Sequence, residues 1–373
     1  MNLFPVKLKG DKQIWSIFFI LLTVSVLAVY SSTYKQTLRS GNLFGELFSH
    51  IRFLGAGFLL VYFMHRIPFP VFKKHAPGAL LFIVLLLLIT MLVSKSRWMF
   101  RVQPSEFARL IIIVYLAKVI SEGFKKPMEY FWMALVPVGA VCALIIDRHT
   151  SSVLMIGFTS LLLILMGVSN RKYLLMTLWF FLGACCLYFM VDQYLGRSET
   201  AKSRISAFVE KIKDRPDSAK QEITQAQIAE FAMNSGSFLS RLKGKGPGNS
   251  VYRVILPEAN NDYIYAIIVE EYGTLGALAI MFLYFWLFYR VVVVISKSSK
   301  VFPSKIFPSL LLSGMVLMIV IQALVHIGVS IGVLPVTGQN LPMISTGGTS
   351  IMVISAAFGM ILSVSNAVNE KNG

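Results

Sequence analysis

Four acidic residues lie in the segment PEANNDYIYAIIVEEYG, residues 257–273: Glu258, Asp262, Glu270 and Glu271. Residues four apart share one face of a helix, so Glu258 and Asp262 would lie together in a helix, about two turns before the other pair. A carboxylate at a water–lipid boundary can accept a proton from a reacting hydroxyl. The spacing indicates Asp262 as a general base beside Glu258, with Glu271 as a structural or site-supporting group.

Polar motifs precede four apolar runs of the chain. RWMFRVQPSEF, DRHTSS, PEANND and PMISTGGTS stand at residues 97–107, 147–152, 257–262 and 342–350. Their Pro, Ser, Thr, Asn and Asp residues are typical of helix starts. A helix start offers free N–H groups and the positive end of the helix dipole, which favour anions. A single motif of this kind needs no function beyond capping its helix. Four of them on one side of a membrane predict a phosphate-binding site.

A glycine-rich stretch, SRLKGKGPGNS at residues 240–250, places Lys243 and Lys245 between glycines. The order of its glycines and lysines matches neither the GxxxxGK[ST] nor the GxGxxG nucleotide-binding loop. Two interpretations remain open, a flexible turn and a contact to the pyrophosphate of a lipid substrate. An outward-facing site has no ATP, so we expect an activated substrate such as a sugar on a lipid pyrophosphate, whose leaving group basic residues and helix starts would stabilise.

A divalent cation, Mg²⁺ or Mn²⁺, would assist departure of a pyrophosphate. Only carboxylates indicate one, and we assign no metal-ligating residue. The sequence has no HExxH motif, no Cys/His cluster and no GxSxG motif, which argues against zinc hydrolysis and a serine nucleophile.

Polar residues inside apolar runs have a high cost, about 2.5 to 3.5 kcal/mol for a charge at a helix centre. Glu106 has two interpretations, a direct role at the site or an ion pair with Arg109 or Arg101. Gln322 and His326 are four apart, on one helix face, and would contact a headgroup or, more simply, bond to a neighbouring helix.

The composition is that of a polytopic membrane protein. The 373 residues are 56% hydrophobic and 14% charged, with a mean hydropathy of +0.69. The net charge of +17 comes mostly from short connections between apolar runs. There it sets orientation, so it does not indicate nucleic-acid binding.

Spans of roughly 20 apolar residues predict about ten transmembrane helices in an all-α protein. They cover 14–31, 47–66, 78–94, 104–121, 131–147, 151–168, 172–191, 263–290, 308–333 and 349–367. We expect one integral membrane domain over 1–373, with a large extracytoplasmic loop at 192–262 between the seventh and eighth helices. In that loop, residues 205–212 have the pattern of an amphipathic helix.

The basic residues of the short connections fall mostly on the side of the N-terminus, which includes Lys7, Lys9 and Lys12. The positive-inside rule then places both termini in the cytoplasm. All four polar helix starts consequently face outward.

The motifs resemble those of the SEDS family (shape, elongation, division and sporulation), the FtsW and RodA peptidoglycan glycosyltransferases. The resemblance runs through QPSEFARL at 103–110, GKGPGNS at 244–250, LPEANNDYIYAIIVEEYG at 256–273 and GVLPVTGQNLPMISTGGTS at 332–350. It covers nearly the whole chain, and the motifs occur in the family's order.

The resemblance implies polymerisation of lipid II outside the cytoplasmic (inner) membrane, with a class B penicillin-binding protein and divisome proteins as partners. The family's essential aspartate matches Asp262, as base on the acceptor sugar hydroxyl, with Glu258 nearby. Lys243 and Lys245 would contact the pyrophosphate, together with a helix start made by Gly347, Gly348, Thr349 and Ser350.

The chain departs from the family at DRHTSS, where His149 replaces the aspartate of QPDxG[ST]. No shared role is carried over to that loop, although Asp147 stands nearby. The PEA and STGGTS sequences are closer to FtsW than to RodA, which favours cell division. The alternatives are an elongation polymerase, a lipid II flippase and a non-catalytic scaffold.

Overall fold

The computed structural model describes residues 8–32, 45–93, 102–147, 149–195, 229, 238–251 and 260–372. The regular structure in these ranges is helical, which confirms the all-α prediction. We number the helices α1 (Lys12–Ser32), α2 (Gly45–Met64), α3 (Phe69–Val93), α4 (Pro104–Glu122), α5 (Pro127–Ile146), α6 (Thr150–Gly167), α7 (Arg171–Leu195), α8 (Phe238–Lys243), α9 (Ile264–Val301), α10 (Phe307–Ser330) and α11 (Gly348–Asn372). Helix α5 contains one π-helical turn, Phe131–Leu135.

Eight of the helices described are long and apolar enough to cross a membrane: α1, α2, α3, α5, α6, α9, α10 and α11. The protein is therefore a polytopic membrane protein, as predicted. Helices α4 and α7 are not among the eight; α4 carries four charged residues, Glu106, Arg109, Lys118 and Glu122, along its 19 residues. The count of ten, the single domain over 1–373 and the loop at 192–262 stay predictions.

Two predicted helix boundaries are wrong. Helix α3 begins at Phe69 rather than near 78, because Lys73, Lys74 and Pro77 are part of its first turns although they looked like a loop. Helix α9 continues to Val301 rather than ending near 290, because a helix can extend beyond the apolar stretch. Counting apolar residues finds the part of a helix that lies in lipid and misses its polar ends.

Helices α10 and α11 form the centre of the bundle, and most of their residues are buried. Helix α10 packs against α4, α6, α9 and α11, and α11 packs most extensively against α2. Gly314 permits close contact between α10 and α4, since a Cβ there would collide with Ile113. Small residues at such contacts let membrane helices approach closely.

Large apolar side chains point outward from the peripheral helices. Leu92 is 83% exposed, Trp179 is 70% exposed and Phe82 is 65% exposed. Exposed apolar surface of this kind is the surface that lipid covers. Several described polar residues of the motifs are buried by contrast, among them Gln103, Ser152 and Asn260.

Candidate active site

Asp262 lies in the turn Asn260–Tyr263 that directly precedes α9. Its side chain is partly buried, and Gly338 of the α10–α11 connection lies beside it. A Cβ added at Gly338 would come within 3.4 Å of Asp262 Oδ2, and the backbone there has a φ of +62°. Both the left-handed backbone and the close approach favour glycine. A side chain at position 338 would therefore lie directly against the carboxylate of Asp262.

The turn that carries Asp262 is held by the residues that lead into α11. Thr346 N and Oγ1 donate hydrogen bonds to Asn260 O, at 3.0 and 3.1 Å. Ser345 Oγ donates to Asn261 O at 2.8 Å, and the Thr346 hydroxyl, which has one proton to share, also lies 2.5 Å from Asn261 Oδ1. These bonds satisfy backbone carbonyls that have no partner within a helix, and they fix the turn on which Asp262 stands.

The connection before α11 also contains a strained residue. Met343 has a φ of +65° and is almost completely buried. A non-glycine residue in the left-handed region costs about 1 to 3 kcal/mol and persists only where surrounding contacts over-determine it. Such strain is concentrated at functional sites, and here it lies two residues from Ser345.

The predicted contacts at the start of α11 lie at this end of the bundle. Gly347 and Gly348 follow Thr346 directly, and Gly347 packs against Asn340. Thr349 Oγ1 accepts a hydrogen bond from Gln103 N at 3.3 Å. Ser350 Oγ is buried and has no hydrogen-bond partner among the described residues. The start of α11 therefore offers a buried hydroxyl close to the turn of Asp262.

Glu106 and Arg109 form a buried ion pair at 2.5 Å, with side chains 8% and 1% exposed. Arg109 also donates to Gln322 Oε1 at 2.8 Å, and Gln322 Nε2 donates to Asn340 O at 2.8 Å. His326 Nδ1 donates to Gln339 O at 2.7 Å. The network links α4 and α10 to residues 339–340, directly after Gly338. Of the interpretations of Glu106, the structure shows the pairing with Arg109. Gln322 makes the predicted bond to a neighbouring helix, whereas His326 bonds the α10–α11 connection instead of a helix.

The divergent loop between α5 and α6 joins the same end of the bundle through His149. Gln103 Nε2 donates to His149 Nδ1 at 3.3 Å and to Ser105 Oγ at 3.0 Å, and His149 also bonds to Ser152. Gln103 in turn reaches α11 through Thr349. The starts of α4, α6, α9 and α11 are thus connected by hydrogen bonds, which confirms the prediction that the four starts share one end.

The two lysines of the glycine-rich stretch have different surroundings. Lys243 ends α8 and is exposed. Lys245 Nζ lies 2.6 Å from Glu270 Oε1, and the Glu270 side chain is fully buried. Glu271 is bonded by Ser31 Oγ of α1 and, at 3.3 Å, by Ser250 N. Glu270 is therefore ion-paired, and Glu271 accepts hydrogen bonds from Ser31 and Ser250.

The structure does not bring Lys245 and Asp262 into one cluster. Between Ile264 and Glu271, α9 rises about 10 Å, so the two groups lie at opposite ends of this helical segment. Glu258, Arg101 and residues 205–212 lie outside the described residues. Among those described, no group of three or more His, Cys, Asp or Glu side chains is placed to hold a metal ion, and the divalent cation stays a prediction.

Sequence reasoning missed the residues that fix the turn of Asp262. Gly338, Asn340, Ser345 and Thr346 all fall inside the motif GVLPVTGQNLPMISTGGTS, yet only its last four residues were proposed as contacts. The density of Gly, Asn, Ser and Thr in that motif was the available signal. It marks an irregular connection but does not say which segment the connection packs against.

The profile of the FtsW/RodA/SpoVE family, described as "Cell cycle protein", matches residues 11–370. A protein of Saccharophagus degradans named "Probable peptidoglycan glycosyltransferase FtsW" is 27% identical over 382 residues, covering 97% of this chain and 94% of that protein. A protein of Halomonas elongata with the same name is 30% identical over 358 residues, with coverages of 91% and 86%.

Two solved structures share the fold. A chain described under "Structural coordination of polymerization and crosslinking by a peptidoglycan synthase complex" has a TM-score of 0.70 and 20% identity, covering 96% of this chain and 98% of its own. The rod shape determining protein RodA of Thermus thermophilus has a TM-score of 0.63 and 17% identity, with coverages of 99% and 100%. With the profile matched over almost its whole length, this chain belongs to the FtsW/RodA/SpoVE family of cell cycle proteins.

Proposed function

We propose that this protein is a peptidoglycan glycosyltransferase that polymerises lipid II into glycan strands at the outer face of the cytoplasmic membrane during cell division. The observation that carries the proposal is the place of Asp262. It is a partly buried carboxylate on a turn held by the residues before α11, bordered by a glycine. The curated relatives named above support the reaction class.

In this reaction Asp262 takes the proton of the acceptor sugar hydroxyl. The hydroxyl oxygen forms a bond to the anomeric carbon of the donor sugar as the bond from that carbon to the pyrophosphate oxygen breaks. The products are a lengthened glycan strand and a lipid pyrophosphate. A positioned general base contributes about 10² to 10⁴ in rate, and N–H groups at helix starts stabilise the negative charge of the leaving group.

The proposed contacts to the pyrophosphate are Lys243 and the start of α11, residues 347–350. Lys243 is exposed, and Ser350 Oγ is a buried hydroxyl without a partner among the described residues. Glu258, four residues before Asp262, is proposed to bind the acceptor beside it. A divalent cation is proposed to bind together with the substrate phosphates.

A class B penicillin-binding protein is the proposed transpeptidase partner, with divisome proteins as further partners. The structural likeness to a chain of a peptidoglycan synthase complex supports an assembly of this kind. The distribution of Lys and Arg supports cytoplasmic termini and an extracytoplasmic site. The names of the curated relatives favour the division role over elongation.

The test is polymerisation of lipid II by the purified protein with its transpeptidase partner in detergent. We expect Asp262→Asn to lower the rate at least about 100-fold, because the amide cannot accept the proton. Glu370→Gln, which removes one negative charge at the other end of the bundle, should leave the rate unchanged.

Normal polymerisation by Asp262→Asn would contradict the role of Asp262. Detergent also separates the flippase alternative, since no membrane sides exist there. If the unaltered protein made no glycan strands in detergent but moved lipid II across vesicle membranes, the flippase would be the better assignment.

A further inference from the structure

We propose that Lys245 and Glu270 form a latch that positions Asp262, by fastening residues 244–251 to a break in α9. Lys245 is then a positioning residue and not a contact of the substrate pyrophosphate. The proposal rests on the proposed function of Asp262 and names a further residue pair on which that function depends.

The break in α9 lies at Gly273, where φ is +68° and ψ is −169° inside an otherwise continuous helix. Gly244 of the glycine-rich stretch packs directly against this break. A Cβ at Gly273 would lie 2.5 Å from Gly244 N, and a Cβ at Gly244, where φ is +76°, would collide with Glu271 O. The two backbones are in contact, and only glycine at both positions permits it.

The break removes hydrogen bonds that an intact helix would make. In α-helical geometry the carbonyls of residues 270 and 271 would accept from N–H groups four residues later, across the break. The glycine-rich stretch supplies donors in their place. Lys245 N donates to Glu270 O and Gly246 N donates to Glu271 O, both at 2.9 Å.

The side chain of Glu270 also accepts hydrogen bonds from residues 245–251. Its Oε1 receives Lys245 Nζ at 2.6 Å and Val251 N at 3.0 Å, and its Oε2 is bonded by Ser250 Oγ. The carboxylate is fully buried, and Lys245, whose side chain is 31% exposed, is its cationic partner among the described residues. Removing a cation from a buried carboxylate is costly, so the latch depends on Lys245.

The latch acts on Asp262 through the short rigid part of α9 that precedes the break, residues 264–272. This segment is fastened at its far end by the latch, and the turn before it is fastened by Ser345 and Thr346. Because this helical segment is stiff, a displacement of its end at residue 272 also moves its end at residue 264. Release of the latch would therefore shift Asp262 relative to Gly338, and displacements of about 1 Å at a catalytic group cost up to about 100-fold in rate.

The experiment is a rescue of Lys245→Met by Glu270→Gln, with kcat and KM for lipid II measured separately. We expect Lys245→Met to lower kcat about tenfold or more with KM unchanged, because the buried carboxylate of Glu270 loses the ammonium group 2.6 Å from it. Glu270→Gln keeps the acceptor for Val251 N and removes the charge. The double variant should therefore recover most of the kcat lost in Lys245→Met, a coupling of about tenfold.

A pyrophosphate contact gives the opposite pattern and would overturn the proposal. Lys245→Met would then raise KM, and Glu270→Gln could not restore it. Lys245→Arg keeps the cation and should retain most of the activity; equal loss in the Arg and Met variants would also contradict the latch. The exposed pair Lys9–Glu370, at 3.0 Å, is the matched control, and Lys9→Met with Glu370→Gln should change neither constant.

A structural readout separates this proposal from the proposed function. Hydrogen exchange of the amides of residues 264–272 should accelerate about tenfold in Lys245→Met and return towards the unaltered rate in the double variant. This holds whether or not the protein polymerises lipid II. Unchanged exchange in Lys245→Met would refute the latch, whereas absence of glycan strands from the unaltered protein would refute only the function.

Discussion

The helix bundle carries ion pairs at both of its ends, and the pairs differ in burial. At the end that holds the start of α1, Lys9 pairs with Glu370 at 3.0 Å while the side chains remain 50% and 57% exposed, and Arg290 pairs with Asp11 at 2.6 Å with side chains 21% and 7% exposed. At the end that holds Asp262, the carboxylates of Glu106 and Glu270 are 8% and 0% exposed, and each is paired with a cation. Burial makes a charge costly unless it is paired and hydrogen-bonded. Each buried carboxylate, that of Asp11 included, therefore holds its partner in a fixed geometry, whereas the exposed pair Lys9–Glu370 is weakly constrained.

Among the substitutions that test this comparison, the largest loss of stability is expected at Arg109. Arg109→Met leaves Glu106 buried without its cation and Gln322 without its donor, at a cost of about 3 to 5 kcal/mol. Thermal unfolding of the purified protein in detergent measures it. Addition of Glu106→Gln should recover part of the loss. A melting temperature equal to that of the unaltered protein would show that the pair is not the buried contact described here.

A smaller but still large loss is expected at the helix break. Gly273→Ala places a Cβ against Gly244 and Leu242 at a positive φ, which should cost about 2 to 3 kcal/mol. Gly55→Ala is the control, because Gly55 lies in α2 with nothing within 4 Å of an added Cβ. Alanine there should stabilise by up to about 1 kcal/mol. We therefore expect the melting temperature to fall for Gly273→Ala and to rise for Gly55→Ala. Shifts of the same sign would contradict the account of the break.

The smallest loss of stability is expected for the exposed ion pair Lys9–Glu370. Lys9→Met removes an exposed ion pair, and such pairs contribute about 0 to 1 kcal/mol, screened by salt. We expect a melting shift within this range that shrinks further at high ionic strength. A loss as large as that of Arg109→Met would mean that burial does not determine how much these ion pairs contribute to stability.

The sequence predicted the all-α polytopic architecture and the convergence of the four polar helix starts. Apolar runs and polar helix starts are local features, and hydrogen bonds between Gln103, His149 and Thr349 confirm that the starts converge. The approximate bounds followed from hydropathy, except where charged turns lengthened α3 and α9. The candidate base came from the spacing of acids and from the resemblance. Its catalytic role stays a prediction.

Contacts between distant parts of the chain could not be predicted in the same way. The position of Gly338 beside Asp262, the bonds from Thr346 to Asn260 and the pairing of Lys245 with Glu270 all join separate segments. A single sequence contains the donors and acceptors but not their partners. The left-handed conformation of Met343 was equally hidden, since methionine gives no local signal for it.

The hydrogen bonds from Ser345 and Thr346 to the turn of Asp262 also have a consequence for biosynthesis. Chains emerge from the N-terminus, so residues 244–251 are already made when α9 enters the membrane and can close on Gly273 at once. The turn of Asp262 must wait for residues 345 and 346, which directly precede α11. Assembly of this site therefore comes after synthesis of α1 to α10, and a nascent chain carries an unfinished Asp262 until α11 is ready to insert.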